Sequence, residues 1–293
     1  EMAYLHSGHE KYPLRLGHEW CGVVASVGDG VDKKIIGRRV TGDTMLGCGK
    51  CYRCLNNRQH VCENRFEIGI RNGWAGALAE ELLVPSTALH FLPDSIDDTV
   101  GALIEPGGNS LRAAQAALAG PGKKVGIIGL GGLGHMGVKF AHALGAEVTV
   151  LSHSANKEAD AKKMGADHFI LTKDEEVFEK YKNHFDLLIN SVSAPMDLNK
   201  YANMLKLNGS LVMVGLSGEP YPIDAFTMLN QRRRIAGSMI GGMKQTQEML
   251  DFAGKHNIVS DVEIIKADEI NKAYDRVVNS DVKYRFVIDA KTI

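Results

Sequence analysis

The 293-residue sequence predicts an α/β protein made of an irregular β-rich domain and a doubly wound parallel sheet. Three observations carry this expectation. From Lys123 onward, six apolar segments alternate with amphipathic stretches of helical period, the order that builds a parallel sheet with crossover helices. The first hundred residues lack that period and carry short β-branched runs between glycines and polar loops. The length also exceeds what one core of ordinary size requires, which favours two domains.

Taken in order, "GVVASVG", "RRVTG" and "ALAEELLVP" are the predicted strands of the first part. Beyond Lys123 the strands are "KVGIIGL", "EVTVLSH", "HFILT", "FDLLINSV", "SLVMVGLSG" and "RIAGSMIGG". The segments "LGHMGVKFAHALG", "ANKEADAKKMG" and "DLNKYANMLKLNG" read as helices between them. A further helix is expected over Met243–His256. The tail "SDVEIIKADEINKAYDRVVNSDVKYRFVID" returns to a β-α-β texture and is expected to pack against the first domain. The resulting division is 1–115, 116–252 and a returning segment 253–293.

Lys and Arg number 34 against 35 Asp and Glu, so no net field recruits nucleic acid or an anionic membrane. A small-molecule partner is expected. No apolar run approaches the roughly 18 to 20 residues of a membrane span, and no basic-then-apolar leader opens the chain, which points to the cytoplasm. Four of the five cysteines crowd into Cys48–Cys62, unlike a disulfide framework spread over a secreted domain.

That stretch, "GCGKCYRCLNNRQHVC", reads C-x2-C-x2-C-x7-C. Its spacing lets Cys48, Cys51 and Cys54 converge from one loop while Cys62 closes the set. Four thiolates around Zn2+ make a closed, structural site with no open position for chemistry. An iron-sulfur cluster is the rival, but the ferredoxin run has a shorter last spacing and a Pro after its fourth Cys, both absent here. Cys21, outside the cluster, reads as a small buried residue.

"VGIIGLGGLGHMG" places Gly129, Gly131 and Gly134 in G-x-G-x-x-G, with Gly132 and Leu133 between them, after an apolar strand and at the start of a helix. Glycines there let the backbone approach a pyrophosphate seated on the helix N-terminus. The next strand ends with Ser152 where an NAD site needs an acid for the ribose hydroxyl. Hydroxyls of Ser152 and Ser154 can donate to a 2′-phosphate and Lys157 can neutralise it, so NADP is the expected dinucleotide. The alternative for the same residues is a solvated helix start with Ser154 as its N-cap.

Gly17-His18-Glu19, the four-cysteine loop and the later glycine loop, in this order, resemble the zinc-dependent medium-chain alcohol dehydrogenases over essentially the whole chain. The resemblance implies a GroES-like catalytic domain followed by a Rossmann domain, and a homodimer or homotetramer. From Lys123 onward the chain resembles the cinnamyl-alcohol-dehydrogenase group, through "GLGGLGHMGVKFAHALGAEVTVLSHSANK" and "VKYRFVID". "GALIEPGGNSLRA" instead carries Glu105-Pro106, which resembles the polyol and sorbitol dehydrogenase branch. The family matching implies that His18, Glu19 and Glu105 serve a catalytic zinc. It places Asn109 near the nicotinamide and Arg285 near the cofactor phosphates, while Val214, Leu216 and Ser238 to Ile240 read as strand ends on the face where dinucleotides bind, with plain core as the alternative. The family's first zinc ligand is a cysteine in a C-x-x-D-like motif ahead of G-H-E. No cysteine precedes Cys21 here, so one ligand and the start of the proton relay lack a counterpart, and the chain is expected to be N-terminally incomplete. His6 and His9 are nearby imidazoles with no assigned role.

The leading expectation is an enzyme, a zinc-dependent oxidoreductase passing a hydride between NADP(H) and an alcohol or aldehyde. An NAD(P)-dependent polyol or sugar dehydrogenase is the second. A nucleotide-binding, zinc-stabilised fragment or pseudoenzyme without turnover is the third.

Overall fold

The computed structural model describes residues 13–70, 74–102, 104–116, 119–279 and 281–293, with side chains for all of these except 104–106 and 116. The chain divides into two compact units, one formed by residues 1–108 with 240–293, the other by 109–239.

In the first unit, strands β1 (Cys21–Val23), β2 (Arg39–Gly42), β3 (Met45–Leu46), β4 (Phe66–Glu67) and β5 (Leu89–Phe91) are short. β1, β2 and β5 form an antiparallel sheet in the order β1-β2-β5, and β3 pairs with β4. The predicted strand over "GVVASVG" is thus shorter than expected, and "ALAEELLVP" forms no strand. Instead the amides of Gly76, Ala77 and Leu78 donate to the carbonyls of Arg15, Gly17 and Leu16 without a regular ladder. A short helix α1 (Tyr52–Leu55) lies inside the cysteine loop, and α2 (Ile104–Ala116) carries the chain from the first unit into the second.

The second unit is a six-stranded, wholly parallel sheet. Its chain order is β6 (Lys124–Ile128), α3 (Gly134–Ala143), β7 (Glu147–Ser152), α4 (Glu158–Lys163), β8 (His168–Leu171), α5 (Glu176–Lys180), β9 (Phe185–Asn190), α6 (Leu198–Asn203), β10 (Leu205–Met213), α7 (Ala225–Asn230) and β11 (Arg234–Gly237). The spatial order β11-β10-β9-β6-β7-β8 has the first strand in the middle. The chain winds outward to β8, then returns to β9 beside β6, so a topological switch lies between β6 and β9. Apolar runs without alternation fit strands covered on both faces. Val125, Ile127, Val148, Val150, Phe185 and Leu188 are fully buried, and Phe140 of α3 is buried with them.

The predicted helix over "DLNKYANMLKLNG" ends at Asn203, and β10 begins two residues later. Leu205 pairs with Phe185 of β9, and the ladder shifts register between Leu205 and Ser210, so burial in the sheet overrides the helical period. At this edge Arg233, only 6% exposed, donates to the carbonyls of Leu205, Asn203 and Thr227 and to the side-chain oxygens of Asn203 and Asn183, at 2.6–3.2 Å.

The tail contains α8 (Met243–His256), β12 (Val262–Ile265), α9 (Ile270–Val278) and β13 (Arg285–Ile288), with β12 and β13 parallel. The helix over Met243–His256 has the predicted bounds. It is fastened to the first unit's sheet. Gln247 exchanges hydrogen bonds with the backbone of Phe91, and Thr246 donates to the buried Asp43 carboxylate at 3.0 Å. Asp43 in turn faces the equally buried His90 at 3.1 Å. Among the described residues, no helix is long and apolar enough to cross a membrane.

Candidate active site and metal centre

The cysteine loop is built by two tight turns. Cys51 stands at the N-cap of α1, Cys54 lies within it, and a 3-10 turn over Gln59–Val61 ends at Cys62. All four sulfurs lie within 4.8 Å of one another, with Cys48 to Cys54 at 3.9 Å and Cys51 to Cys62 at 3.7 Å. A tetrahedron of sulfurs about 2.3 Å from zinc has edges of about 3.8 Å, so the quartet fits that ion with little adjustment. A Cβ at Gly47 would lie 2.6 Å from the Cys54 sulfur, which explains the glycine ahead of the first ligand. The Cys48 amide points at the Cys62 sulfur at 3.5 Å, a contact that orients the ligand. Backbone amides of Lys50 and Cys51 pull the Cys48 thiol down to about 6, while burial pushes Cys54 up to about 12. Among the described residues, this quartet is the one convergent group of three or more His, Cys, Asp or Glu ligands. Cys21 lies apart, half-buried, its thiol raised to about 12 by burial and then by Asp98.

In the second unit the glycine loop joins β6 to α3. Gly129 has φ +86°, a conformation that a side chain disfavours. A Cβ at Gly134 would lie 2.1 Å from the Gly129 carbonyl oxygen, so this glycine lets helix and strand approach. Gly131 differs, because a Cβ there would meet nothing within 4 Å. The protein's own packing makes no demand for glycine at that position. A ligand drawn close to the backbone does, and this is how the loop fits a dinucleotide pyrophosphate. Ser110, His135 and Ser191, which sequence reasoning did not single out, each bond a carbonyl of this loop. Ser110 Oγ donates to Leu133 O at 3.0 Å, His135 Nδ1 lies 3.1 Å from Gly131 O, and Ser191 Oγ reaches Gly129 O at 3.2 Å and Ile128 O at 2.9 Å.

Ser152 closes β7. Its Oγ accepts the Ser154 amide at 3.1 Å, which leaves the hydroxyl hydrogen for another acceptor. Ser154 precedes a 3-10 turn over Ala155–Lys157 but makes no side-chain cap bond. Val214 follows β10 and donates its amide to Asn190 O, and the Leu216 side chain is 73% exposed. Ser238 follows β11, and its Oγ is buried with no hydrogen-bond partner among the described residues. The second unit thus gathers the glycine loop, Ser152, Val214 and Ser238 at the carboxyl ends of β6, β7, β10 and β11. Ile240, 3% exposed, belongs to the first unit.

His18 and Glu19 lead into β1. Thr44, buried after β2, donates its hydroxyl to the His18 carbonyl at 3.3 Å, and Thr41 donates to the Trp20 carbonyl at 2.5 Å, so this stretch is held against the sheet. Glu19 is ion-paired with Arg285 of β13. The Glu105 backbone lies in the first turn of α2, while its side chain lies outside the described residues, as do His6 and His9. A catalytic zinc takes three protein ligands. Of the expected set, His18 and Glu19 are the described donors, and the Glu19 carboxylate is engaged by a guanidinium.

Comparison with known proteins places these motifs. Residues 2–94 match the model of the alcohol dehydrogenase GroES-like domain, and residues 132–255 match that of the zinc-binding dehydrogenases. NADP-dependent alcohol dehydrogenase C 1 of Mycolicibacterium smegmatis is 42% identical over 98% of this chain and 84% of its own length. The chain belongs to the zinc-binding alcohol dehydrogenase family. Probable formaldehyde dehydrogenase AdhA of Bacillus subtilis, another member, is 40% identical over 96% of this chain and 83% of its own. Among solved structures, a cinnamyl alcohol dehydrogenase of Sorghum bicolor, SbCAD4, superposes with a TM-score of 0.93 at 34% identity, covering 97% of this chain and 84% of that one. The expected GroES-like and Rossmann architecture of a zinc-binding alcohol dehydrogenase is therefore the one observed.

One pairing in this zinc-binding alcohol dehydrogenase was out of reach of sequence reasoning. Glu19 and Arg285 stand 266 residues apart, and neither flanking motif names the other. Of the three carbonyl-binding side chains His135 alone had a signal, a histidine set among the apolar and glycine residues that open α3.

Proposed function

We propose that this chain transfers a hydride between NADP(H) and the carbon of a small alcohol or aldehyde. The observation that carries the reading is in the second unit. A glycine loop with open space over Gly131 shares its sheet edge with a β7 end that offers Ser152 in place of a carboxylate. Ser152 donates its remaining hydroxyl hydrogen to the 2′-phosphate, Ser154 adds a second hydroxyl, and Lys157 supplies positive charge. The first unit serves as catalytic domain and the second as cofactor domain. Asn109 is a proposed neighbour of the nicotinamide, and Val214, Leu216, Ser238 and Ile240 are proposed cofactor-binding residues at strand ends.

Cys48, Cys51, Cys54 and Cys62 hold a structural zinc. His18, Glu19 and Glu105 are the proposed ligands of a second one. When bound, zinc at such a place polarises the substrate oxygen, and the reduced dinucleotide supplies the hydride. Arg285 holds the Glu19 carboxylate in place and is a proposed neighbour of the cofactor phosphates. Titration calorimetry with NADPH and NADH, zinc counting, and NADPH-linked reduction of an aldehyde panel test the reading together. Tighter NADPH binding, two zinc ions per chain and weak turnover are expected, because the proposed set of His18, Glu19 and Glu105 lacks a thiolate. Equal or tighter NADH binding would overturn the cofactor assignment, and one zinc per chain would overturn the second metal site.

Glu105-Pro106 favours a second reading, oxidation of polyols or sugars, and a panel of linear polyols set against the aldehydes separates the two. The family resemblance supports a cytoplasmic homodimer or homotetramer, which light scattering checks.

A further inference from the structure

The carbonyls of Gly129, Gly131 and Leu133 alternate along the glycine loop, and each meets a side-chain donor from elsewhere in the same unit. We propose that His135, with Ser110 and Ser191, is a positioning residue that turns the loop's carbonyl oxygens into the protein and its amides toward a dinucleotide pyrophosphate. This rests on the dinucleotide reading above.

A trans peptide holds its carbonyl and the following N–H on opposite sides. Drawing the oxygens of 129, 131 and 133 inward therefore turns the amides of Leu130, Gly132 and Gly134 outward. Among the described residues, the amides of Leu130 to Leu133 donate no backbone hydrogen bond, so they remain available to an anion. A carbonyl oxygen rotated the other way would set a partial negative charge against the pyrophosphate. Glycine-rich backbone resists such rotation poorly, because glycine populates most of conformational space.

His135 is the most informative of the three. It is fully buried in the opening turn of α3, where an apolar side chain would pack at no polar cost. Gly131 O accepts its backbone N–H at 3.0 Å, and the ring Nδ1 at 3.1 Å adds a second bond to the same oxygen. The second bond requires the tautomer with hydrogen on Nδ1. Ser110, also buried, treats Leu133 O in the same way, since that oxygen already accepts the Gly137 amide. The doubled bonds hold these two peptides more firmly than the helix alone would.

The test compares the wild-type chain with His135→Phe, His135→Asn and Ser110→Ala, using calorimetry with two probes, NADPH and adenosine 2′-monophosphate. The second probe carries the 2′-phosphate but no pyrophosphate. His135→Phe keeps an aromatic ring and removes the donor, so NADPH should bind about 3- to 10-fold more weakly while the monophosphate stays within about twofold. His135→Asn, whose amide can donate where Nδ1 does, should restore most of the NADPH affinity. A packing role would reverse that order, with Phe tolerated and Asn damaging, and would overturn the inference. So would a parallel loss for both probes. If His135→Phe does not fold, Ser110→Ala carries the same expectation at about threefold, and unchanged NADPH binding there is the refuting result. A wild-type chain that binds neither probe would overturn the dinucleotide reading and this inference together. Wild-type NADPH binding with no loss in the variants would overturn this inference alone.

Discussion

Residues 47–62 and residues 129–134 each make a binding loop from one short stretch of chain, but the first offers side-chain atoms and the second offers their absence. In the cysteine loop the ligands themselves converge to 3.7–3.9 Å across two edges of the site, so the loop's fold and its affinity for metal are one property. In the glycine loop the binding groups are amides that every residue has. What distinguishes it is the room over Gly131, and its set is maintained by Ser110, His135 and Ser191 from other elements. Loss of ligand should therefore cost stability at the first loop and little at the second.

The largest effect is expected at Cys51. Cys51→Ser removes one of four thiolates, and loss of a structural metal belongs to the few mechanisms that cost about 4 kcal/mol or more. A drop in melting temperature of roughly 10 °C with loss of one zinc per chain is expected by scanning calorimetry and metal analysis. Unchanged metal content would break the comparison at its first term. Next in size is the double change Ser152→Asp with Lys157→Ala. Each charge-assisted hydrogen bond to the 2′-phosphate contributes about 1.5–3 kcal/mol, so the preference should swing from NADPH to NADH by at least about a hundredfold in Kd ratio. Retained NADPH preference would show that the extra phosphate is held elsewhere.

Two glycine substitutions divide the second loop itself. Gly134→Ala places a methyl 2.1 Å from the Gly129 oxygen and should destabilise the fold by about 1–3 kcal/mol through forced displacement of α3. Gly131→Ala meets no protein atom and should leave thermal stability within about 0.5 kcal/mol of the wild type. Its cost should fall on NADPH affinity alone, at about tenfold, or 1.4 kcal/mol. Equal affinity in the Gly131→Ala chain would mean that the open space serves no ligand.

The same contrast explains how far the sequence could be read. The cysteine ligands span fifteen residues and announce their chemistry by type, so spacing alone located the site. The six strands of the parallel sheet were legible because burial on both faces removes alternation and leaves plain apolar runs, as in Val125–Ile128. Leu205–Leu207 was misread because a helical period continued past Asn203 while the pairing of Leu205 with Phe185, twenty residues earlier, drew it into the sheet. "ALAEELLVP" was misread for the opposite reason. Its apolar texture suggested a ladder, but Gly76 to Leu78 find their partners in Arg15 to Gly17, a loop with no strand pattern of its own. Glu19 and Arg285 could not be joined by spacing at all, because the pairing exists only once β13 has returned to the first unit.

The cage around Arg233 has a consequence for acid. Every acceptor it uses is a neutral carbonyl or amide oxygen, so no proton taken up at low pH can switch off its bonds. The amino ends of β6 and β9 are held differently, through the Asp186 carboxylate, which accepts the Lys124 amide and meets Lys206 and Lys123. Burial pushes Asp186 upward, but the Lys124 amide and the two ammonium groups outweigh it and hold the carboxyl below its ordinary range. A depressed carboxyl contributes stability above its unfolded value of about 3.9 and loses it as pH falls through the folded value. Acidification below about pH 4 should therefore loosen the amino ends of β6 and β9 while the bonds that Arg233 makes to Leu205, Asn203, Thr227 and Asn183 persist. In amide exchange, the Lys124 amide, which Asp186 accepts, should lose protection before the amides around Arg233.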